Sequence, residues 1–460
     1  MNFKAISTMS AAGAAISLFA AAPVVSNVSM TQNTKGTATI TYTLSEADAV
    51  VTLDIQTNAT GGAWTSIGGE AVSSALGDVW KAVGTGTHTI KWDGATNWGT
   101  RQIPVNGIRA VITAWALNNT PDYMVVDIAD GAQPNSQRYY PSVDFLPGSA
   151  PGQKGAITNN TAYRLTKLVM RKIMTKDIEW TMGSTALETL RTDARENTHP
   201  VTLTNNYYIG VFEITQNQWA QIQPARTAPS YFSKPGECAM RPVDRVCYNE
   251  IRNNDGTSAA DNTSYNWPHD PNPASFLGLL RTRTGIPFDL PSEAQWEFAC
   301  RAGNGDTKWG DGSAMLNNNT DSNLAKIARY YQNGGSAVSY NDANGATHGP
   351  EVGTAYAGTY RPNSWGLYDM SGNIPEWCLD YYEENIAGHG GMVNINPEDG
   401  TQTRSGNSPI QDSTYGPYRV VRGGGFGAWA YANRPAFRNN KGQRLRYDIG
   451  LRVVCPVELQ

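Results

Sequence analysis

Two β-branched, alternating runs, Thr39-Ile40-Thr41-Tyr42-Thr43-Leu44 and Val50-Val51-Thr52-Leu53-Asp54-Ile55, flank a Ser-Glu-Ala-Asp turn and predict a pair of strands. Further strands are predicted at Thr87–Trp92, Ile108–Ala114 and Tyr123–Val126, with Gly and Asn clusters between them. Short strands at regular spacing, each closed by turn residues, predict an all-β sandwich over residues 26–129. His88 alternates with Thr87 and Thr89 and reads as a surface or packed residue rather than a ligand. Periodicity then stops. Residues 130–160 are rich in Pro, Gly, Ser and Asn and read as a linker that packs in part through Tyr139, Tyr140 and Phe145.

A second domain, residues 161–458, is expected to open with a strand at Leu168–Ile173. Thr215 is placed to N-cap a short helix carrying Trp219 and Ile222. Ser292 repeats that pattern, with Ala294, Trp296 and Phe298 spaced for burial and Gly303 as terminator. A glycine run, Arg422-Gly423-Gly424-Gly425-Phe426-Gly427, follows a strand at Val420, and Asp448–Val454 alternates like a closing strand. Between them lies the densest punctuation in the chain, Asn363–Trp377, which interleaves the rings Trp365, Tyr368 and Trp377 with turn formers and two acids. Such a loop has two readings. Asp369, with the carbonyls of Met370, Gly372 and Ile374, can supply several of the six to eight oxygens that calcium takes. Alternatively Asp369 and Asn373 close only their own Asx turns.

Composition narrows the class. A chain of 460 residues predicts two or three domains, and Gly 46 with Pro 25 at 17% charged residues indicates a turn-rich fold with few long helices. A net charge of −4 and no basic stripe exclude nucleic acid as a partner. Residues 1–25 read as an export signal, with Lys4 before an apolar run, Ala11–Ala22, that is too short to span a bilayer. No later stretch suits a membrane span, so an exported protein is expected, periplasmic or extracellular. Of five cysteines at least one stays unpaired within the chain, and Cys238 and Cys247 are near enough in sequence to pair.

The chain carries a specific resemblance in its second domain. Thr198-His199-Pro200-Val201, Gly210–Thr215, Arg241-Pro242-Val243, Leu290–Glu297, Gly366–Trp377, Arg422-Gly423-Gly424 and Ile449–Arg452 match, in order, the motifs of the formylglycine-generating enzyme (sulfatase-modifying factor) family. The resemblance implies an α+β, C-type-lectin-like domain with little regular secondary structure and with bound calcium. It selects the calcium reading of the central loop, through the Asp369 side chain and the Met370, Gly372 and Ile374 carbonyls. It also implies a second calcium site before that loop, for which Tyr330–Gly349 offers no assignable ligands. In the first domain, Gly86–Gly94 with Asn97-Trp98-Gly99 resembles the Ig-like domain of flagellar hook-capping proteins.

The family's best-known chemistry is oxidation of a sulfatase cysteine by copper(I) held on two thiolates just after the Arg-Gly-Gly-Ser motif. This chain has no cysteine between Leu379 and Val454, and Gly425 stands where the family has serine, so copper is not expected. Cys378 and Cys455 are read as small buried residues. The five histidines, His88, His199, His269, His348 and His389, form no His-x-x-x-His pair, and Glu383-Glu384 and Glu398-Asp399 fall in polar stretches. Phe426, Trp429, Tyr431, Asn433 and Arg434 occupy what is the substrate groove in the enzymes; they either present a surface for a peptide or glycan or fill the vacated space. The leading expectation is therefore a calcium-stabilised binding module. An oxidoreductase with a non-cysteine site, acting on an exported protein or peptide, is the first alternative, and a surface-display receptor, as the same fold provides elsewhere, is the second. The oligomeric state stays open.

Overall fold

The computed structural model describes residues 21–458 except 35, 59–61, 95–106, 149–155, 189–190, 192–194, 227–228, 235, 254–268, 335–351, 385–410, 413–415 and 446. Most of the export signal, the Asn97–Gly99 turn, His348, His389, Glu398-Asp399 and most of the segment expected to hold a second calcium lie outside the described residues.

The N-terminal strands form two antiparallel sheets. β1 (Val24–Thr34) pairs with β2 (Thr37–Ser45), which pairs with β3 (Gly86–Asp93). Strand Ala49–Thr57 anchors the other sheet and pairs with Ile108–Ala116 over its whole length. Strict alternation buries Ala38, Ile40, Tyr42 and Leu44 on one face of β2, as period-two patterning requires. His88 is a packed strand residue: its ring stacks on Tyr42 at 5.1 Å and Nδ1 lies 3.2 Å from Asp78 Oδ2. Two boundaries differ from expectation. β1 starts at Val24, within residues 1–25, because Val24 and Val25 find ladder partners in Ser45 and Leu44.

The second difference is larger. Tyr123–Asp127, expected in the sandwich, pairs with Lys167–Ile173 of the second domain, and Arg138–Tyr140, inside the expected linker, pairs with Tyr123–Asp127 in turn. A five-stranded antiparallel sheet results, in the order Arg138–Tyr140, Tyr123–Asp127, Lys167–Ile173, Tyr207–Gly210, Val454–Pro456. The linker is thus partly built into the second domain. Tyr140 stacks on Trp80 at 5.1 Å, Tyr139 N–H donates to the Trp80 carbonyl at 2.9 Å, and one hydrophobic core runs through both halves.

Around this sheet the second domain is mostly turns and short helices. Helix α1 (Gln216–Ile222) is capped by Thr215 and α2 (Glu293–Arg301) by Ser292, each through a capping box, as expected. Helix α2 ends in two successive residues of positive φ, the cap Ala302 (φ 49°) and then the expected Gly303 (φ 81°). Asp448–Val453 does not form a regular strand: it runs extended, bridging Glu376 at Gly450 and accepting from Ile214 and Gly210 N–H through Leu451 and Val453, and the ladder begins only at Val454. No helix among the described residues is long and apolar enough to cross a membrane.

Candidate functional site

The central loop is held by backbone conformations that few side chains tolerate. Asp369 (φ 58°) and Asn373 (φ 65°) are both left-handed, and a Cβ on Gly372 would meet the Arg329 carbonyl at 2.5 Å. Asn373 is a brace: its Oδ1 accepts from Ala355 N–H at 2.8 Å and its Nδ2 donates to Glu213 Oε2 at 2.7 Å, while Glu213 Oε1 accepts from Ile374 N–H at 3.2 Å. Asp369 is 2% exposed; Oδ2 accepts from Gly358 N–H at 2.7 Å and Oδ1 has no hydrogen-bond partner. Burial pushes its carboxyl up to about 6, against the Gly358 N–H and the Arg452 and Arg164 guanidiniums. Burial, with Asp369 and Glu376 beside it, likewise raises the Glu213 carboxyl well above its ordinary range.

This environment bears on calcium. Asp369, Met370 and Ser371 border a cavity of about 10 Å³, about enough for one water-sized occupant. Asp369 and Met370 therefore share one cavity; Gly372 and Ile374 do not line it. Among the described residues no three His, Cys, Asp or Glu side chains converge as a metal cage. The Met370 carbonyl already accepts from Cys300 Sγ at 3.4 Å. What fits a hard cation here is the unpaired Asp369 oxygen and the grouping of three buried carboxylates, Asp369, Glu213 and Glu376; the Arg452 and Arg164 charges, and Arg361 on the cavity wall, stand against it.

The motif residues on α2 explain why that helix is fixed so firmly to the glycine run. Glu293 and Glu297, one turn apart, face arginines from the end of the chain. Arg438 donates to both oxygens of Glu293 at 2.6 and 2.8 Å, and Arg422 donates to Glu297, which also accepts from Arg301 at 2.8 Å. Burial alone would raise these carboxyls; the facing guanidiniums outweigh it and hold both below the usual range.

The residues after the glycine run divide sharply. A Cβ on Gly424 would meet Asn433 Oδ1 at 2.3 Å, and Asn433 Oδ1 accepts from Gly425 N–H at 3.0 Å while Nδ2 donates to the Trp429 carbonyl at 2.8 Å. Asn433 thus ties the turn together from inside. Phe426 is buried edge-on against Phe232 at 5.2 Å, and Trp429 lies on Tyr331 at 4.1 Å. Of the five expected groove residues only Tyr431 and Arg434 border the cavity found here, of about 350 Å³; Phe426, Trp429 and Asn433 do not line it. Phe426 and Asn433 are buried, as space-filling residues would be, whereas Trp429 is half-buried.

Sequence reasoning missed the opposite wall. Leu187, Glu188, Trp309 and Leu316 line the cavity together with Thr307, Met315, Asn317 and Asn318, and none stands in a motif. Leu187 and Leu316 are 80% and 59% exposed, large apolar side chains at the rim of one cavity. At its base Arg434 donates to Glu196 at 2.8 and 3.1 Å and to Glu188 Oε1 at 2.5 Å. All five cysteines are free, Cys238 and Cys247 included, and burial pushes the Cys300 thiol up to about 12.

Comparison with known proteins agrees with the motif order. The model of the sulfatase-modifying factor enzyme 1-like domain matches residues 167–457. The chaperone protein LppX of Paenibacillus barcinonensis is 30% identical over 190 residues, 39% of this chain and 63% of that protein. The formylglycine-generating enzyme of Thermomonospora curvata is 31% identical over 143 residues, 29% of this chain and 42% of the enzyme. The chain spans less than two thirds of the length of these curated relatives. Among solved structures, PvdO from Pseudomonas aeruginosa aligns at 21% identity and TM-score 0.43, covering 63% of this chain and 94% of that one. With the domain model covering well over half of its length, the chain belongs to the sulfatase-modifying factor family, to which the formylglycine-generating enzymes also belong.

Proposed function

We propose that this protein is an exported binding member of the family that does not generate formylglycine and that takes a polypeptide segment in the cavity between Leu187, Leu316 and Tyr431. The observation that carries this reading is the pair of exposed leucines at the rim of a cavity of about 350 Å³, within the size range of ligand sites. Where the enzymes carry thiolates, this chain has Asn433 bracing a turn and Arg434 closing the cavity floor, and it has no cysteine from Leu379 to Val454. A peptide is favoured over a glycan because two exposed leucines, Leu187 and Leu316, line the cavity beside its polar residues, and the Paenibacillus relative is named a chaperone protein. Calcium held at Asp369 and Met370 forms part of the proposal, as compensation for buried carboxylate rather than as a reactant.

Parallel peptide and glycan arrays test it, with Leu316→Asp as the site control. Capture of peptides by the parent and its loss in the variant are expected. Capture that survives Leu316→Asp places the ligand elsewhere, and a mass change in a co-expressed exported protein would put the oxidoreductase alternative first.

A further inference from the structure

We propose that the cavity beside Glu188 receives an aliphatic primary ammonium, such as a lysine side chain on an extended polypeptide. The inference rests on the binding reading above and adds the chemistry of the ligand.

Glu188 is 3% exposed, yet only one of its oxygens is used: Oε1 accepts from Arg434, and Oε2 has no hydrogen-bond partner. A buried acceptor left unmade is costly, more so when charged, and Glu188 is one of the residues that line the cavity, so a ligand there can bring the donor. Charge points the same way. Among the described residues Glu188 and Glu196 share the guanidinium of Arg434, so two carboxylates face one bridging cation, and Arg301, which also acts on Glu188, is already bridged to Glu297 and Asp306. Burial accordingly raises the Glu188 carboxyl, with Arg434 and Arg301 opposing and Glu196 reinforcing the shift. A cationic donor would relieve both deficits at once.

An ammonium fits better than a guanidinium. The planar fork of arginine wants two acceptor oxygens side by side, and here one is occupied; an ammonium is a point charge with three donors. Part of the wall suits an aliphatic stem, since Leu187, Trp309, Met315 and Leu316 line the same cavity as Glu188, beside Thr307, Asn317 and Asn318. A glycan brings hydroxyl donors but no charge.

The test uses the full chain and the peptide Ac-Leu-Lys-Leu-NH2, its Nζ-acetylated form and its norleucine analogue, measured by calorimetry, with cadaverine as a separate arm. The lysine peptide is expected to bind, and acetylation or Glu188→Gln to weaken it by about thirtyfold or more, the scale for losing one partner of a buried charged pair. Norleucine peptide affinity is expected to fall by a much smaller factor than lysine peptide affinity in Glu188→Gln. Because Glu188→Gln also disturbs the Arg434 pair, Leu316→Lys serves as a second variant: a tethered ammonium at the rim should compete with the lysine peptide. Cadaverine binding more tightly than the peptide keeps the ammonium and assigns it to a free diamine. Equal affinity for the lysine and acetyl-lysine peptides overturns the inference; if Leu316→Asp still abolishes both, the cavity reading survives alone. No binding of any of the three peptides or cadaverine to the parent overturns the inference, and capture on the peptide array that is lost in Leu316→Asp would then still uphold the cavity.

Discussion

Arg452 holds Glu376 from two sides: Nη2 donates to Oε1 at 2.7 Å and Nε lies 3.1 and 3.2 Å from the two carboxylate oxygens, with neither side chain more than 1% exposed. The same guanidinium donates to the Gly210 and Tyr368 carbonyls at 2.8 Å each, and Glu376 accepts from Trp296 Nε1 at 2.7 Å. The final motif therefore joins the five-stranded sheet, helix α2 and the central loop in one contact. Arg452→Met leaves Glu376 buried without its cation and is expected to lower unfolding stability by about 3–5 kcal/mol. Urea unfolding of Arg452→Met beside Arg452→Met/Glu376→Met checks this: the double variant should recover much of the loss, because no lone charge remains.

The groove residues should separate by function. Trp429→Ala is expected to reduce stability through its contact with Tyr331 and to leave peptide capture intact, since Trp429 does not line the cavity. Tyr431→Ser removes a cavity wall and should weaken capture while changing the melting temperature less. Binding and thermal melts on the two variants decide it; loss of capture in Trp429→Ala alone would return the site to the outer turn.

Much of the fold was legible because it is local. Thr215 and Ser292 cap helices where their spacing says they should, and period two gives β2 and its burial directly. What was not legible depends on partners far away in the chain. Nothing in Tyr123–Val126 says that its ladder partner is Leu168–Arg171 rather than a sandwich strand, since a strand pattern does not name its neighbour. Arg434 reads as a groove residue until Glu188 and Glu196, more than two hundred positions earlier, are seen to bury it. Leu187 and Leu316 carry no motif at all, and only their exposure at a shared cavity marks them.

Thiol reactivity follows from burial. Cys247, Cys300, Cys378 and Cys455 are buried and Cys238 is half-buried, and burial drives the Cys300, Cys378 and Cys455 thiols upward. In the folded protein Cys238 is expected to react first with a thiol reagent and the other four only after denaturation, with no disulfide in the non-reduced mass. Fast labelling of Cys300 or Cys378 under native conditions would contradict this packing.

The calcium proposal has a direct readout. Chelation is expected to lower the melting temperature of the parent, and Asp369→Asn, which keeps the shape but removes the charge, should melt at one temperature with or without calcium. Equal melting of the parent in both conditions would remove calcium from Asp369.

Asp244 sets a pH dependence with a definite sign. Its carboxyl is buried, with Oδ1 accepting from Tyr231 N–H at 2.7 Å and Oδ2 without a partner. Burial pushes it from 3.8 up to about 7, against the Tyr231 N–H; Asp448 reinforces the rise, and Arg245 and Arg241 oppose it. A carboxyl raised in the folded state means that the native protein binds the proton more tightly than the unfolded chain does. Between the two values the native state holds more protons, so stability falls as pH rises, being fullest near pH 4 and lost as pH passes through about 7. Over roughly pH 5 to 8 the loss should be about 3 kcal/mol. Asp448, raised to about 6 by burial against Arg245, adds a slope of the same sign, so the parent alone does not isolate Asp244. Asp244→Asn keeps an acceptor for Tyr231 and has no proton to lose, so the difference between parent and variant in urea unfolding should shift in favour of the variant with rising pH. A difference that stays constant across that range would mean Asp244 ionises in place as an ordinary carboxylate.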